Sequence, residues 1–303
     1  MIPNNSDQTL NFSGRELLQI LRTAAVSGNS IPEETREMLR QNRELLRAVP
    51  TEEAQSALTA LLCGDHASEV LRSCADSAAV LLPEIVPMFG FAQHNPHHDR
   101  DVWEHTLAVL AAAPPTPVMR WSALLHDIGK PACFSIQADG LGHFYGHAQK
   151  SAELAEKILD RLGVENRDRI LCLIRYHDLP IPPERKPVLR LLRRFGEETV
   201  RQLIALHQAD TLGQSALCAG RIAEYQQVEA VLDALLEEEA QFSLRDLAIN
   251  GRDLLALGFR GKAIGTALDR AFHAVQSGAV PNEREILLCW IDAQKYGANP
   301  VEL

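Results

Sequence analysis

Nine of the eleven histidines in this 303-residue chain fall between His94 and His207, and the chemistry-bearing carboxylates lie in the same stretch. Six residues stand out there: His105, the adjacent pair His126-Asp127, His147, His177 and Asp210. Each sits on or beside a segment with helical periodicity. Imidazole nitrogens and carboxylate oxygens are the ligands a divalent transition metal prefers. Adjacent residues on a helix point about 100° apart, so His126 and Asp127 reach one cavity together only at a helix end or kink. Gly129 and Pro131 supply such an end directly afterwards. His105 and Asp210, on separate helices, close the site from other sides. The expected metal set is therefore His105, His126, Asp127 and Asp210, with positions left open for a water and a phosphate oxygen. A metal held this way brings its water towards neutral pKa and offsets charge developing on phosphoryl oxygens, so no protein nucleophile is required. Asp127 is expected to bridge two metals if His147 and His177 bind a second one. Lys130, just past the aspartate, is placed to meet a phosphate oxygen, so Asp127 and Lys130 are the expected catalytic residues. The metal is one or two divalent ions, with Mn, Fe, Co, Ni, Zn and Mg all left open.

An HD dipeptide alone is a weak signal, and His177-Asp178 is a second one by chance. His94, His97, His98, His143 and His207 are read as ordinary polar residues, and His66 and His273 lie outside the cluster. The weight comes from HDIGKP at 126–131 together with His105 upstream and Asp210 downstream.

These residues have to be positioned by helices. Leu, Ala, Glu, Arg and Gln dominate and β-branched runs are few, so the composition leans to an all-α fold. Helical patterns cover about 101–113, 117–128, 146–163, 167–178 and 187–213. Earlier, GRELLQILRTAAVSG lines Leu17, Leu18, Leu21 and Ala25 on one side. Pro32 stands near a second helix start, and Thr51 is expected to cap a third. Between 134 and 146 FSIQADGLGHFYG is the one convincing non-helical excursion, a loop or a short hairpin. Helices return from 217 to the end. Three packed helical parts are expected, over 1–85, 86–215 and 216–303.

Charge and partners are bounded too. A formal net charge of −10 weighs against a general nucleic-acid binder. A local basic stretch remains at 184–202, where Arg190, Arg193, Arg194 and Arg201 recur at helical spacing and offer a possible RNA contact. The balancing Glu197 and Glu198 favour a solvated face instead. Six scattered cysteines without a CxxC pair read as buried free thiols. No leader pattern and no apolar run of spanning length is found, so a cytoplasmic chain with no membrane partner is expected, with Met1 read as a natural start.

Four segments carry a family resemblance: QHNPHHDRDVWEHTL (93–107), MRWSALLHDIGKP (119–131), GHFYGHAQKSAELAEKIL (142–159) and IRYHDLPI (174–181). They resemble the HD domain of bacterial CCA-adding tRNA nucleotidyltransferases. Residues 12–85 resemble the neck and body of those enzymes, and 249–288 their C-terminal portion. The resemblance implies an HD-domain helical bundle with flanking helical parts and ligands in the order H…HD…D, matched by His105, His126, Asp127 and Asp210, with His147 and His177 matching the additional histidines that bind a second metal or the phosphate. It implies a metal-dependent phosphohydrolase acting on a nucleotide or an RNA-terminal phosphate, of the 2′,3′-cyclic phosphodiesterase, nucleotidase or phosphatase type. The family's head carries a GG…RD segment and a DxD carboxylate pair, and neither is expected anywhere in this chain. Its base-reading EDxxR motif stands here as Arg15-Glu16-Leu17-Leu18-Gln19. The alternative is a tRNA-binding subunit or remnant whose catalytic head is a separate chain.

Overall fold

The computed structural model describes residues 12–138, 140–241 and 243–295. The fold is all-α: fifteen α-helices and one two-stranded hairpin among the described residues. Packing groups the chain into two compact units, one taking residues up to 180 and 198–226, the other 181–197 and 227 onwards.

In the first unit, α1 (Gly14–Ser27) opens on a capping box in which Ser13 and Glu16 satisfy each other's backbone N–H groups, and stops at Gly28, left-handed at φ +73°. Leu17, Leu18, Leu21 and Ala25 are buried as the spacing predicts. α2 (Glu33–Asn42) follows Pro32 and passes into a 3₁₀ turn at Arg43–Ala48. α3 (Thr51–Leu62) starts at Thr51 itself. Pro50, extended at ψ 140°, takes the cap position, so the capping role expected of Thr51 is not realised.

After α4 (Ala67–Ser73) and α5 (Ala75–Leu81), α6 (Val102–Ala112) is capped by Asp101, whose carboxylate accepts from the Glu104 N–H at 2.7 Å. α7 (Pro117–Leu125) is buried on every side from Val118 to Leu125. A helix buried all round belongs in the middle of a core, and α3, α6 and α10 (Arg167–Tyr176) pack on it. Its polar heads are partnered in part: Trp121 Nε1 donates to Thr59 Oγ1 at 3.0 Å, Ser122 Oγ to the Val118 carbonyl at 2.7 Å, and Arg120 to the Leu110 carbonyl, while Arg120 Nε is buried without a partner.

α8 (Lys130–Cys133) is a single turn, followed by β1 (Ser135–Ile136) and β2 (Gly142–His143), paired antiparallel with Ser135 opposite His143. The excursion is thus a short hairpin. α9 (His147–Leu162) runs between left-handed glycines 146 and 163. α11 (Arg185–Gly213) covers the expected 187–213 segment, but Gly196 (φ 76°, ψ 164°) breaks its helical geometry. Helical register therefore does not carry from Arg190, Arg193 and Arg194 to Arg201.

The second unit has its own core, with Leu247, Ile249, Leu254, Ala271, Leu287 and Ile291 buried. It is built by α13 (Gly251–Ala256), which has an Asn250–Asp253 capping box, α14 (Lys262–Gln276) and α15 (Arg284–Lys295). α12 (Arg221–Gln241) precedes them. Cys74 and Cys218 are the buried thiols, three others are partly buried, and Cys289 is exposed, contrary to a uniformly buried set; none of the six is in a disulfide. No helix among the described residues is long and apolar enough to cross a membrane.

Candidate metal centre

α6, the α7–α8 junction, the start of α9, the end of α10 and the second half of α11 converge within the first unit. α7 stops at Leu125, so His126 occupies its cap position and Asp127 the turn beyond. That break lets neighbouring side chains share one cavity. The turn is packed hard: the Gly129 N–H donates to Ser151 Oγ at 2.9 Å, and a Cβ on Gly129 would lie 2.6 Å from Ser151 N and 2.8 Å from the His147 carbonyl.

Four imidazoles are held in the same sense. Nδ1 of His105 lies 3.1 Å from the Gly213 carbonyl, that of His126 2.8 Å from Ala123 O, that of His147 2.9 Å from Phe144 O and that of His177 2.7 Å from Ile174 O. Each Nδ1 must donate to its carbonyl, which turns each Nε2 inward, the arrangement that orients metal-ligating histidines; His147 Nε2 and His177 Nε2 face each other there at 3.2 Å. Gly213 is required for this contact, since a Cβ there would lie 3.1 Å from His105 Nδ1 and 2.7 Å from Val109.

The carboxylate of Asp127 divides the cluster. Its Oδ2 is 3.3 Å from His105 Nε2 and 3.1 Å from His126 Nε2; its Oδ1 is 3.4 Å from His147 Nε2 and 3.6 Å from His177 Nε2. Asp210 Oδ1 completes the first side, 3.0 Å from His105 Nε2 and 3.7 Å from His126 Nε2, while its Oδ2 accepts from Gln214 Nε2 at 2.8 Å. His105, His126, Asp127 and Asp210 thus form one group of convergent ligand atoms, and Asp127, His147 and His177 a second. His105 Nε2, His126 Nε2 and both Asp127 oxygens are buried and make no well-formed hydrogen bond, although the Lys130 ammonium pairs with Asp127 Oδ2. Buried polar atoms are rarely left so. Their donor types and spacing suit a divalent cation, and the cluster is compatible with one or two.

Electrostatics point the same way. Burial alone would push His126 down, but Asp127 and Asp210 raise it to about 10, and the same carboxylates raise His105 against its own burial. Burial would raise Asp127 and Asp210, yet the surrounding cations hold both well below the usual carboxylate range. The centre therefore favours positive charge. On the other side, burial and neighbouring His177 outweigh Asp127 and hold His147 below its usual value.

Lys130 is buried beside the centre: its Nζ lies 2.7 Å from Asp127 Oδ2, donates to Gln93 Oε1 at 2.9 Å, and rests over the Phe144 ring. A cavity of about 390 Å³ opens onto Asp127, Lys130, His177 and Asp210. His98 and His143, read from sequence as ordinary polar residues, line the same cavity, each with one buried ring nitrogen lacking a partner. His98 packs edge-on against His105, and its burial holds it down to about 3, hence neutral. The available signal was their position in the polar runs flanking the ligand helices. Gln93 was missed altogether. His94 and His97 are exposed, and buried His207 meets the Tyr225 hydroxyl at 3.3 Å. Contrary to the expectation that the chain has no DxD, Asp99-Arg100-Asp101 is one, but Asp101 caps α6. Arg190, Arg193 and Arg194 lie exposed on the first half of α11, in the second unit, where Arg185 pairs with Glu238.

Comparison with known proteins agrees with the geometry. Residues 102–238, which include all six cluster residues, match the HD domain. The chain is 31% identical to a CC-adding tRNA nucleotidyltransferase of Thermus thermophilus over 90% of its own length and 65% of that protein. It is 32% identical to a multifunctional CCA protein of Thioalkalivibrio sulfidiphilus over 83% of its length and 63% of the relative. An A-adding tRNA nucleotidyltransferase of Deinococcus radiodurans is 32% identical over 67% of the chain and 49% of its own length. The chain thus spans between about half and two thirds of these relatives.

Proposed function

From an HD domain set within a chain similar to tRNA nucleotidyltransferases, we propose a metal-dependent phosphohydrolase acting on a nucleotide or an RNA-terminal phosphate. The observation that carries this reading is the set of buried atoms, His105 Nε2, His126 Nε2 and both oxygens of Asp127, that make no well-formed hydrogen bond and are aimed at one another beside an open cavity, with the Lys130 ammonium against Asp127 Oδ2. His105, His126, Asp127 and Asp210 would hold the first metal, and His147 and His177, sharing Asp127, a second metal or the phosphate. When bound, a divalent metal supplies Lewis acidity and an acidified water.

The chain's own residues do the rest. The backbone carbonyls that accept from the four Nδ1 groups fix tautomer and ring angle before any ligand arrives. Lys130, steadied by Gln93, presents a cation at the cavity wall where a phosphate oxygen would sit. His98, neutral and edge-on to His105, supplies a ring nitrogen free to hydrogen-bond a bound substrate.

The test is hydrolysis of 2′,3′-cyclic nucleotides, nucleoside monophosphates and a generic phosphodiester across several divalent metals, with Asp127→Ala alongside. Turnover with at least one metal, lost together with metal retention in the variant, is expected. Unchanged activity in Asp127→Ala would sink the reading. A second reading, a tRNA-binding subunit whose nucleotidyltransferase head is another chain, is favoured by the breadth of the likeness to tRNA enzymes. Its marker is tight tRNA binding without hydrolysis, weakened when Arg190, Arg193 and Arg194 are changed to Ala.

A further inference from the structure

Six consecutive residues, Gly142 to His147, tie the cavity mouth to the cluster. The Phe144 carbonyl accepts from His147 Nδ1, and the Phe144 ring lies beneath Lys130. Between half-buried Phe144 and the left-handed Gly146, Tyr145 is turned outward and is 69% exposed, which is unusual for so large a ring. It is not loose. One face is covered by His143, parallel to within 5° at 5.3 Å between centroids, and its hydroxyl accepts from Gln137 Nε2 at 2.9 Å. Gly142, whose Cβ would lie 2.1 Å from the Gln93 carbonyl, pins the hairpin strand that carries the pair. Both rings line the cavity that reaches Asp127, Lys130 and Asp210. His143 Nε2 is buried there with no partner.

We propose that Tyr145, backed by His143, is the nucleobase platform of this site: the base of a nucleotide stacks on the open face of Tyr145 while its phosphate enters among Lys130 and the cluster. The inference rests on the phosphohydrolase reading and adds to it the part of the substrate that is recognised. A flat π-face is what every nucleobase offers, and aromatic side chains bind it with little sequence preference. A ring already held by a stacked neighbour and a hydrogen bond gives up little conformational freedom when the base arrives. A sugar phosphate without a base would meet the same cations but leave Tyr145 bare.

The test is calorimetric binding to the full chain loaded with Mn²⁺, using adenosine 5′-monophosphate and ribose 5-phosphate as probes. The nucleotide is expected to bind about tenfold or more tightly than the sugar phosphate, within the roughly five- to hundredfold range of base stacking. Tyr145→Ala should bring the nucleotide down to the affinity of ribose 5-phosphate and leave the latter unchanged, whereas Tyr145→Phe keeps the preference. Equal binding of the two probes by the wild type, a preference that survives in Tyr145→Ala, or binding of neither overturns the proposal. Turnover is read separately. Equal hydrolysis and equal binding of both probes uphold the phosphohydrolase and remove the platform; base-selective binding without hydrolysis does the reverse.

Discussion

Asp127 is the residue on which both halves of the cluster depend, since one oxygen faces His105 and His126 and the other faces His147 and His177. Asp127→Ala removes the shared ligand, so turnover should fall by several kcal/mol of barrier, roughly a thousandfold. The histidines set a pH dependence whose sign follows from their surroundings. His105 and His126 are raised, the latter to about 10, by buried carboxylates. Without metal, their protonation adds stability that is fully present below about 6.5 and lost as pH climbs through the raised values. A metal must displace these protons to reach Nε2. Its affinity should therefore rise from pH 6 to 9, with protons released on binding. Calorimetry in buffers of different ionisation enthalpy counts them, and an affinity flat with pH would contradict the charged state of the pair. The convergence of His126 and Asp127 on one cavity could be read from the sequence because HDIGKP forces a helix end. Gln93, His98 and His143 could not, because what identifies them is a neighbour brought near by folding.

At the scale of elements, helix positions were legible wherever caps and glycines punctuate the chain: α6, α7, α9 and α10 begin within one residue of their sequence limits. What misled was chemistry that acts at a single residue. Pro50 displaced Thr51 from its cap, and Gly196 broke a pattern that periodicity alone reads as one helix. The α7–α8 turn makes a prediction of its own. Gly129 has ordinary backbone angles (φ −83°, ψ −14°), so alanine is tolerated locally, but its Cβ would strike backbone atoms of Ser151 and His147. Backbone cannot swing aside as a side chain does. Gly129→Ala should cost about 1–3 kcal/mol, and it should weaken metal binding by moving the first turn of α9. Urea unfolding and metal titration measure the two effects. A variant as stable as wild type, with unchanged metal affinity, would show that α9 has slack against the turn.

The whole molecule follows from a helix-rich composition, yet its division into two packed units was not visible, because residues 181–197 leave one unit and the chain returns to it at 198. No periodicity announces such a crossing. Every residue of the cluster lies in the first unit, together with the buried Trp103 and Trp121, whereas Trp290 and the exposed Cys289 belong to the second. Reporters can thus be assigned. In a Trp290→Phe background, tryptophan fluorescence follows the first unit, and a dye on Cys289 in the parent chain follows the second. Ligand that binds the folded state at a hundred times its Kd adds about 2.7 kcal/mol, which for a unit of this size is a rise of roughly 5–10 °C in midpoint. Mn²⁺ should raise the tryptophan-reported transition by that amount and the Cys289-reported transition by less, and Asp127→Ala should abolish the tryptophan shift. Equal shifts at both reporters would mean that the two units melt as one. No shift at the tryptophans in the presence of excess metal would mean that the buried cluster of the first unit does not hold the ion.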